Sequence, residues 1–290
     1  MLNIAIIGMG KMAASHADWI IAQRDLNLTA VCDLNKERVE RAAEAYGVEG
    51  YTDVDALLAK KNLDYVVIVT TNTVHEELAV KALENKINVI VEKPMSLNYE
   101  SAVRMMNAAE KNKRNLFVHQ SSRWDRDFLL VKETIDSGQI GDLLQIQSRV
   151  YLCDEGWPSW GIDGTANPWR IKAQFGGGML LDWGPHLVDQ MLVLMKKDPT
   201  AVYGVLQKGV WSTEVDDSFN ATLHFDGDVV CQIEASNNGR IPAPRWYVIG
   251  TKGTLVVAGR HEPVWDEAEI VFDRPNGKTE RHTIHLVDVC

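Results

Sequence analysis

The first third of the chain alternates two hydrophobic periods. LNIAIIG, near the N-terminus, is a short and continuously apolar run, the pattern of a strand buried on both faces. KMAASHADWIIAQR then shows helical spacing, with Met12, Trp19 and Ile20 among its apolar positions. The alternation continues as strands in LTAVCDL, DYVVIVTT, INVIVEK and NLFVHQ, and as helices in NKERVERAAEAYG, VHEELAVKALENK and SLNYESAVRMMNAAEKNKR. Asn35 stands at an N-cap position and Gly47 where that helix should stop. Strands separated by helices of this length require right-handed crossovers and a parallel sheet. The pattern predicts a doubly wound domain over residues 1–120.

The second half changes character. After IDSGQIGDLLQIQSRVYL it is rich in strand-like segments: TAVYGVLQKG, DDSFNATLHF, DVVCQIEAS, RWYVIG, GTLVVAG and TIHLV. Turn signals DGD, NNG and TKG separate them. This predicts an α+β domain with a large, mostly antiparallel sheet over residues 121–290, giving an α/β protein of two domains with a cleft between them. No repeat or low-complexity linker marks the boundary, which rests on the change of pattern alone.

Composition narrows the partners. The chain of 290 residues is 46% hydrophobic and 24% charged, ordinary for a globular protein. A net charge of −10 and the lack of any basic stripe argue against nucleic acid or an anionic membrane. Cys32, Cys153, Cys231 and Cys290 form no C-x-x-C pair, which fits a reducing compartment and argues against a disulfide framework or a zinc site, so no metal is expected. No apolar run reaches the ~18 residues of a membrane span. The N-terminus lacks the basic n-region of a signal peptide, so a cytoplasmic protein is expected.

Two stretches carry candidate chemistry. Gly8-Met9-Gly10-Lys11-Met12-Ala13 has the pattern G-x-G-x-x-A at the end of a strand and the start of a helix. Gly8 permits the turn, Gly10 lets the backbone approach a pyrophosphate, and the helix start at Lys11 and Met12 offers N–H groups to phosphates. Asp33 ends the second strand and is placed to accept hydrogen bonds from a ribose. Singly these are a glycine turn and a capping Asp; together, in this order, they point to a dinucleotide, and Asp33 favours NAD. NADP is the alternative, because Lys36 and Arg38 lie close by. The other stretch is GGGMLLDWGPHLVDQ, residues 176–190, an apolar helix that carries Asp182, His186 and Asp189. Burying such groups is costly unless they are paired or shifted. Asp182 and His186 are four apart and share a face. An isolated D-x-x-x-H of this kind is more readily a structural pair than a catalytic one. Pro185 is tolerated only if the helix starts close to residue 182.

Several segments together resemble the glucose-fructose oxidoreductase/inositol dehydrogenase/rhizopine-catabolism (Gfo/Idh/MocA) family along nearly the whole chain. IAIIGMGKMAASH resembles its opening; VVIVTTNTVHEELAVKAL its I-x-T-P-x-x-x-H segment, with Thr71 where proline is usual; VIVEKPMSLN its E-K-P motif; and GGGMLLDWGPHLVDQ its G-G-G-x-L-x-D-x-G-x-H-x-x-D helix. HQSSRWDRDF and PAPRWYVIGTKGTL are most similar to the branch that includes scyllo-inositol dehydrogenases. The resemblance implies hydride transfer between nicotinamide and a secondary alcohol of a sugar, polyol or cyclitol, with Lys93, Asp182 and His186 as the catalytic positions.

Chemistry is consistent with those roles. Lys93 follows a buried strand, at the carboxyl edge where open α/β sheets bind ligands. Its ammonium suits a substrate hydroxyl, and Glu92 beside it a nicotinamide ribose. The imidazole of His186, with an ordinary pKa of about 6.5, suits removal of the hydroxyl proton. Asp182 would orient substrate and favour the imidazolium. Thr70, Thr71, Asn72, His75 and Gln120 fall in regions that the resemblance places near the cofactor, a lone His such as His75 being as often structural, and His16 is expected to pack near the nucleotide loop. Arg123 and Trp124 are expected to touch nicotinamide or substrate, and Asp189 to pair structurally. Trp157, Trp160 and Trp169 lie in a Gly- and Pro-rich loop with Arg170; they suit either a sugar ring or a hydrophobic plug or subunit contact. Two other readings stay open: a glycosidase that oxidises transiently with no net redox change, and a dinucleotide sensor. The resemblance also implies a helix-bearing tail past the point where this chain stops. Open sheet faces imply a homodimer or homotetramer, which a monomeric mass in solution would refute.

Overall fold

The computed structural model describes residues 1–153, 169–241, 243–259 and 266–289. They form two compact units. One is Met1–His119 with Trp169 and Gln174–Gly176; the other holds Gln120–Cys153, Arg170–Ala173 and the described residues from Gly177 onward.

The first unit is built from β1 (Leu2–Ile7), α1 (Lys11–Ile21), β2 (Leu26–Cys32), α2 (Lys36–Tyr46), β3 (Glu49–Tyr51), α3 (Val54–Leu58), β4 (Tyr65–Ile68), α4 (His75–Glu84), β5 (Asn88–Val91), α5 (Tyr99–Asn112) and β6 (Leu116–Val118). Its sheet has the order β3-β2-β1-β4-β5-β6, with every pair parallel. The order reverses beside β1, so a crevice opens at the carboxyl ends of β1 and β4. Ile4–Ile7 and Val66–Ile68 are buried, as strands covered on both faces must be. Ala13 and Ala17 are fully buried and let α1 lie close to the sheet. Asn35 caps α2 by accepting from the N–H groups of Glu37 and Arg38, and Gly47 ends it in the left-handed conformation at φ 66°. β3 and α3 are too short to show a period and escaped the sequence reading.

The second unit contains α6 (Arg126–Asp136), β7 (Leu143–Tyr151), α7 (Met179–Met195), β8 (Ala201–Gln207), β9 (Ser218–Phe225), β10 (Val229–Ser236), β11 (Trp246–Gly250), β12 (Gly253–Val257), β13 (Glu267–Asp273) and β14 (Thr279–His285). The sheet order is β14-β13-β12-β11-β7-β10-β9-β8, antiparallel except for the β7–β10 pair. Alternation sorts its faces: Val229, Cys231, Ile233 and Ala235 of β10 enter the core with Ile146, Trp246 and Val248. On the opposite face Gln147 and Arg149 bond Gln232 and Glu234 across the β7–β10 pair. α7 packs its Leu187, Met191 and Leu194 into that same core. Among the described residues, no helix is long and apolar enough to cross a membrane.

Candidate functional site

In the first unit the candidate residues gather at the carboxyl ends of β1, β2, β4 and β5. Gly8 leaves β1 at φ +95°, and a Cβ there would lie 2.4 Å from the carbonyl oxygen of Val69. Only glycine fits this turn. Gly10 caps α1 without a side-chain cap, and α1 has no acidic residue in its first turn. A Cβ on Gly10 would meet nothing within 4 Å. Lys11 and Met12 open the helix, whose N-terminal dipole favours an anion. Asp33 is fixed from both sides: Oδ2 accepts from Met9 N at 2.7 Å and Oδ1 from Asn35 N at 2.8 Å. Each oxygen keeps a further lone pair for a hydroxyl. Arg38 Nη1 stands 4.0 Å from Asp33 Oδ2, so its charge is directed to that carboxylate.

The turn after β4 is tied down. Thr70 flanks Gly8, and Thr71 Oγ1 contacts Thr73 Oγ1 at 3.4 Å. Asn72, buried, donates from Nδ2 to the carbonyl of Gly176 at 3.0 Å. His75 is fully buried at the start of α4; Nδ1 lies 2.9 Å from the carbonyl of Pro94 and Nε2 3.3 Å from that of Thr70. Burial lowers its pKa and outweighs those two contacts. His75 is therefore a strut between the turn after β4 and the Glu92-Lys93-Pro94 segment. Glu92 is held just as firmly. Its Oε1 contacts His16 Nε2 at 2.7 Å and His119 Nδ1 at 2.9 Å, while Oε2 accepts from Lys93 N at 3.1 Å. Desolvation works to raise its pKa, but the hydrogen bonds of His119 and His16 prevail and keep the carboxyl well below the usual range. His16, expected only to pack, is thus a polar partner. His119, just after β6, carries no motif that marks it in the sequence.

In the second unit, α7 begins earlier than its sequence implies. The expectation of a start close to residue 182 is corrected: the helix starts at Met179 and Pro185 lies inside it, past the first turn. The cause is distant in sequence. Asp216 Oδ2 accepts from Leu180 N at 2.7 Å and the Asp216 carbonyl accepts from Met179 N at 3.0 Å, so an external residue caps the helix. Gly178 is at φ +111°, and a Cβ there would fall 2.3 Å from Asp216 Oδ1. Pro185 removes the N–H that Leu181 O would otherwise receive.

Asp182 lies in the first turn, where the helix dipole favours its charge. Its Oδ2 is 3.4 Å from Nε of Arg170, and both side chains are largely buried. Burial lowers the Arg170 pKa against the raising effect of Asp182. His186 is buried, with Nδ1 enclosed by protein and the Trp183 ring 6.0 Å away edge-on. Asp189 receives a bidentate pair from Arg123 at 2.7 and 2.6 Å, so the Arg123 fork is engaged by a carboxylate of the same unit. Trp124 beside it is 77% exposed, and Trp169 half-buried. Gln120 Oε1 is buried and accepts no hydrogen bond among the described residues, an acceptor suited to an amide or hydroxyl donor. Trp157 and Trp160 lie outside the described residues.

Beneath these groups runs a network that no local pattern announced. Arg245, 2% exposed, bonds Ser148 Oγ, donates to Gln190 Oε1 at 2.9 Å and lies 3.2 Å from Asp127 Oδ2. Gln190 Nε2 donates to Ser122 O at 2.9 Å. One turn past His186, α7 is thereby fastened to the segment that bears Arg123 and Trp124.

The first unit fits a dinucleotide: a glycine turn that no side chain can enter, open space over Gly10, a helix N-terminus and a fixed carboxylate after β2. Comparison with known proteins agrees. Residues 2–120 match the model of an oxidoreductase family with an NAD-binding Rossmann fold, and residues 128–256 match the GFO/IDH/MocA C-terminal domain. The chain belongs to the Gfo/Idh/MocA family. Within the family it is similar to a crystallised NAD-binding protein from Listeria innocua, 34% identical with a TM-score of 0.85 over 98% of this chain and 81% of that one. It is 29% identical to myo-inositol 2-dehydrogenase of Thermotoga maritima over 70% of this chain and 57% of that protein. It is 31% identical to D-glucoside 3-dehydrogenase of Escherichia coli over 67% and 54%. The matched segments span 49–57% of the length of such curated relatives.

Proposed function

We propose that this Gfo/Idh/MocA chain oxidises a secondary hydroxyl of a cyclitol, sugar or glycoside with NAD, and runs the reverse reduction. One observation carries the reading. The family's NAD-binding domain is accompanied by α7, which carries Asp182 and His186 on one face, with Asp182 held by the buried Arg170. When bound, the nicotinamide ring supplies the hydride acceptor. The remaining work is that of the chain. His186 takes the hydroxyl proton at Nε2, because Nδ1 is enclosed by protein. Lys93 donates to the substrate oxygen and offsets charge as the carbonyl forms. Its backbone is fixed by Glu92 and, through Pro94, by His75. Asp182, locked by Arg170, orients the hydroxyl and favours the imidazolium. Trp124 offers an exposed flat face to the C–H side of a ring. The names of the inositol and glucoside dehydrogenases to which the chain is similar support this substrate class. The same reading takes residues 1–120 as the nucleotide domain and 121–290 as the substrate domain of a cytoplasmic homodimer or homotetramer.

The test is an absorbance screen for NADH with inositols, aldoses and glycosides. The expected result is turnover with one class, reduced about 10²–10⁴-fold in His186→Asn with NADH affinity unchanged. Wild-type turnover in that variant overturns the role of His186. Silence from the unaltered chain with every substrate, while NADH binds, overturns the dehydrogenase reading.

A further inference from the structure

Glu92 holds a place in the fold that the proposed reaction does not use in full. Oε2 steadies Lys93, but Oε1 faces two imidazoles from distant parts of the chain: His16 on α1 and His119 after β6. One ligand-type atom from each of the three residues lies within 4.8 Å of the others. The side chains of His16 and Glu92 are 6% and 12% exposed, while that of His119 is 24% exposed and forms the open side. Trp19 walls the cluster, its ring 5.4 Å from His16 and 5.8 Å from His119.

Two imidazoles against one carboxylate oxygen make a satisfied hydrogen-bonded group. The same three donors also make the two-histidine, one-carboxylate set that binds zinc and leaves a fourth position for water. The step between the two states is small. Tetrahedral zinc with ligands at about 2.0–2.2 Å sets its donors about 3.3–3.5 Å apart. The contacts of 2.7 and 2.9 Å must therefore open slightly, and His119, on the open side, can turn to do so. An imidazole can carry its proton on either ring nitrogen, which leaves the nitrogen facing Glu92 able to bind a metal. The scattered cysteines exclude a thiolate zinc site and leave a His/Glu site untouched.

We propose that His16 Nε2, Glu92 and His119 Nδ1 form a binding site for one divalent transition metal of the zinc class, next to the segment that carries Lys93. The site is independent of the substrate reading above. It is tested on the full chain, stripped with chelator, by calorimetric titration with Zn²⁺ and by the visible absorption of Co²⁺ in its place. The expected result is saturable binding of a single ion with a tetrahedral cobalt spectrum. His119→Gln and His16→Gln should each weaken it at least about tenfold, with a single cooperative urea transition retained in His119→Gln to show that the fold is intact. A His282→Gln/His285→Gln variant removes the exposed imidazoles beside Glu280 and Glu267 and should leave the binding intact. Absence of saturable binding overturns the proposal. So does binding that survives His119→Gln, or that disappears with His282 and His285.

Discussion

Replacing Gly8 and Gly10 separately by alanine should separate folding from cofactor recognition. The two glycines are two residues apart in one motif, yet the structure gives them different work. At Gly8 the backbone has φ +95°, and a new Cβ would sit 2.4 Å from Val69 O and 2.9 Å from Thr70 Cγ2. A left-handed backbone costs an L residue about 1–2 kcal/mol. Val69 cannot swing away, because its N–H bonds Ile7 O at 2.8 Å in the β1–β4 pair. Overpacking of that kind adds about 1–3 kcal/mol. Gly8→Ala should therefore lose about 2–5 kcal/mol, a large part of a domain's usual stability of about 5–15 kcal/mol. Gly10 is extended, at φ −80° and ψ −171°, and its Cβ would meet nothing within 4 Å. Gly10→Ala should keep its stability within about 0.5 kcal/mol but place a methyl group where a pyrophosphate must approach. NADH affinity should then fall at least about tenfold, or 1.4 kcal/mol. Urea unfolding and NADH fluorescence titration measure the two effects. Full stability in Gly8→Ala, or full NADH affinity in Gly10→Ala, refutes the reasoning.

Two further outcomes follow from pairs outside the candidate site. Arg245→Met leaves the Asp127 carboxylate buried with, among the described residues, Trp246 Nε1 at 3.0 Å and Phe128 N at 2.8 Å as donors. It should cost about 3–5 kcal/mol in urea unfolding, and adding Asp127→Asn should restore part of that; a loss under about 1 kcal/mol contradicts the buried pair. Hydrogen bonds from Arg104, then Ser101, hold the Glu76 carboxyl at about 2, below its usual 4.5. Because the folded value is the lower one, the stabilisation is present above pH 4.5 and is lost as pH falls towards about 2. Arg104→Gln should flatten that part of the stability–pH curve, and an unchanged slope would show that the pair contributes nothing.

The local pattern determined a good deal of this protein. Continuous apolar runs marked β1 and β4 of the first unit, because a strand covered on both faces has no polar side to show. Asn35 and Gly47 marked the ends of α2 because capping is chemistry between near neighbours. Gly8, Gly10 and Asp33 were legible for the same reason: one strand–turn–helix and the next strand end supply them all. Asp182 and His186 stood out as ionisable groups at helical spacing in an apolar run, a conflict visible in sequence. Short elements such as β3, three residues long, gave no period to detect.

Other features were decided only when distant segments met. The start of α7 is set by Asp216, thirty-six residues from the Leu180 N–H it accepts, and this moved Pro185 into the helix interior. The partners of Asp182 and Asp189 are Arg170 and Arg123, both on other segments, so which arginine neutralises which carboxylate was not written in spacing. The network of Arg245, Gln190 and Asp127 spans more than a hundred residues, and so does the contact of Asn72 with Gly176. His16, Glu92 and His119 converge because β1, β4, β5 and β6 lie side by side and in parallel, which brings their carboxyl ends to one edge. Local chemistry can be read along the chain because its partners are covalently near. Charge pairing and ligand convergence depend on strand order, and that is set only when the whole sheet assembles.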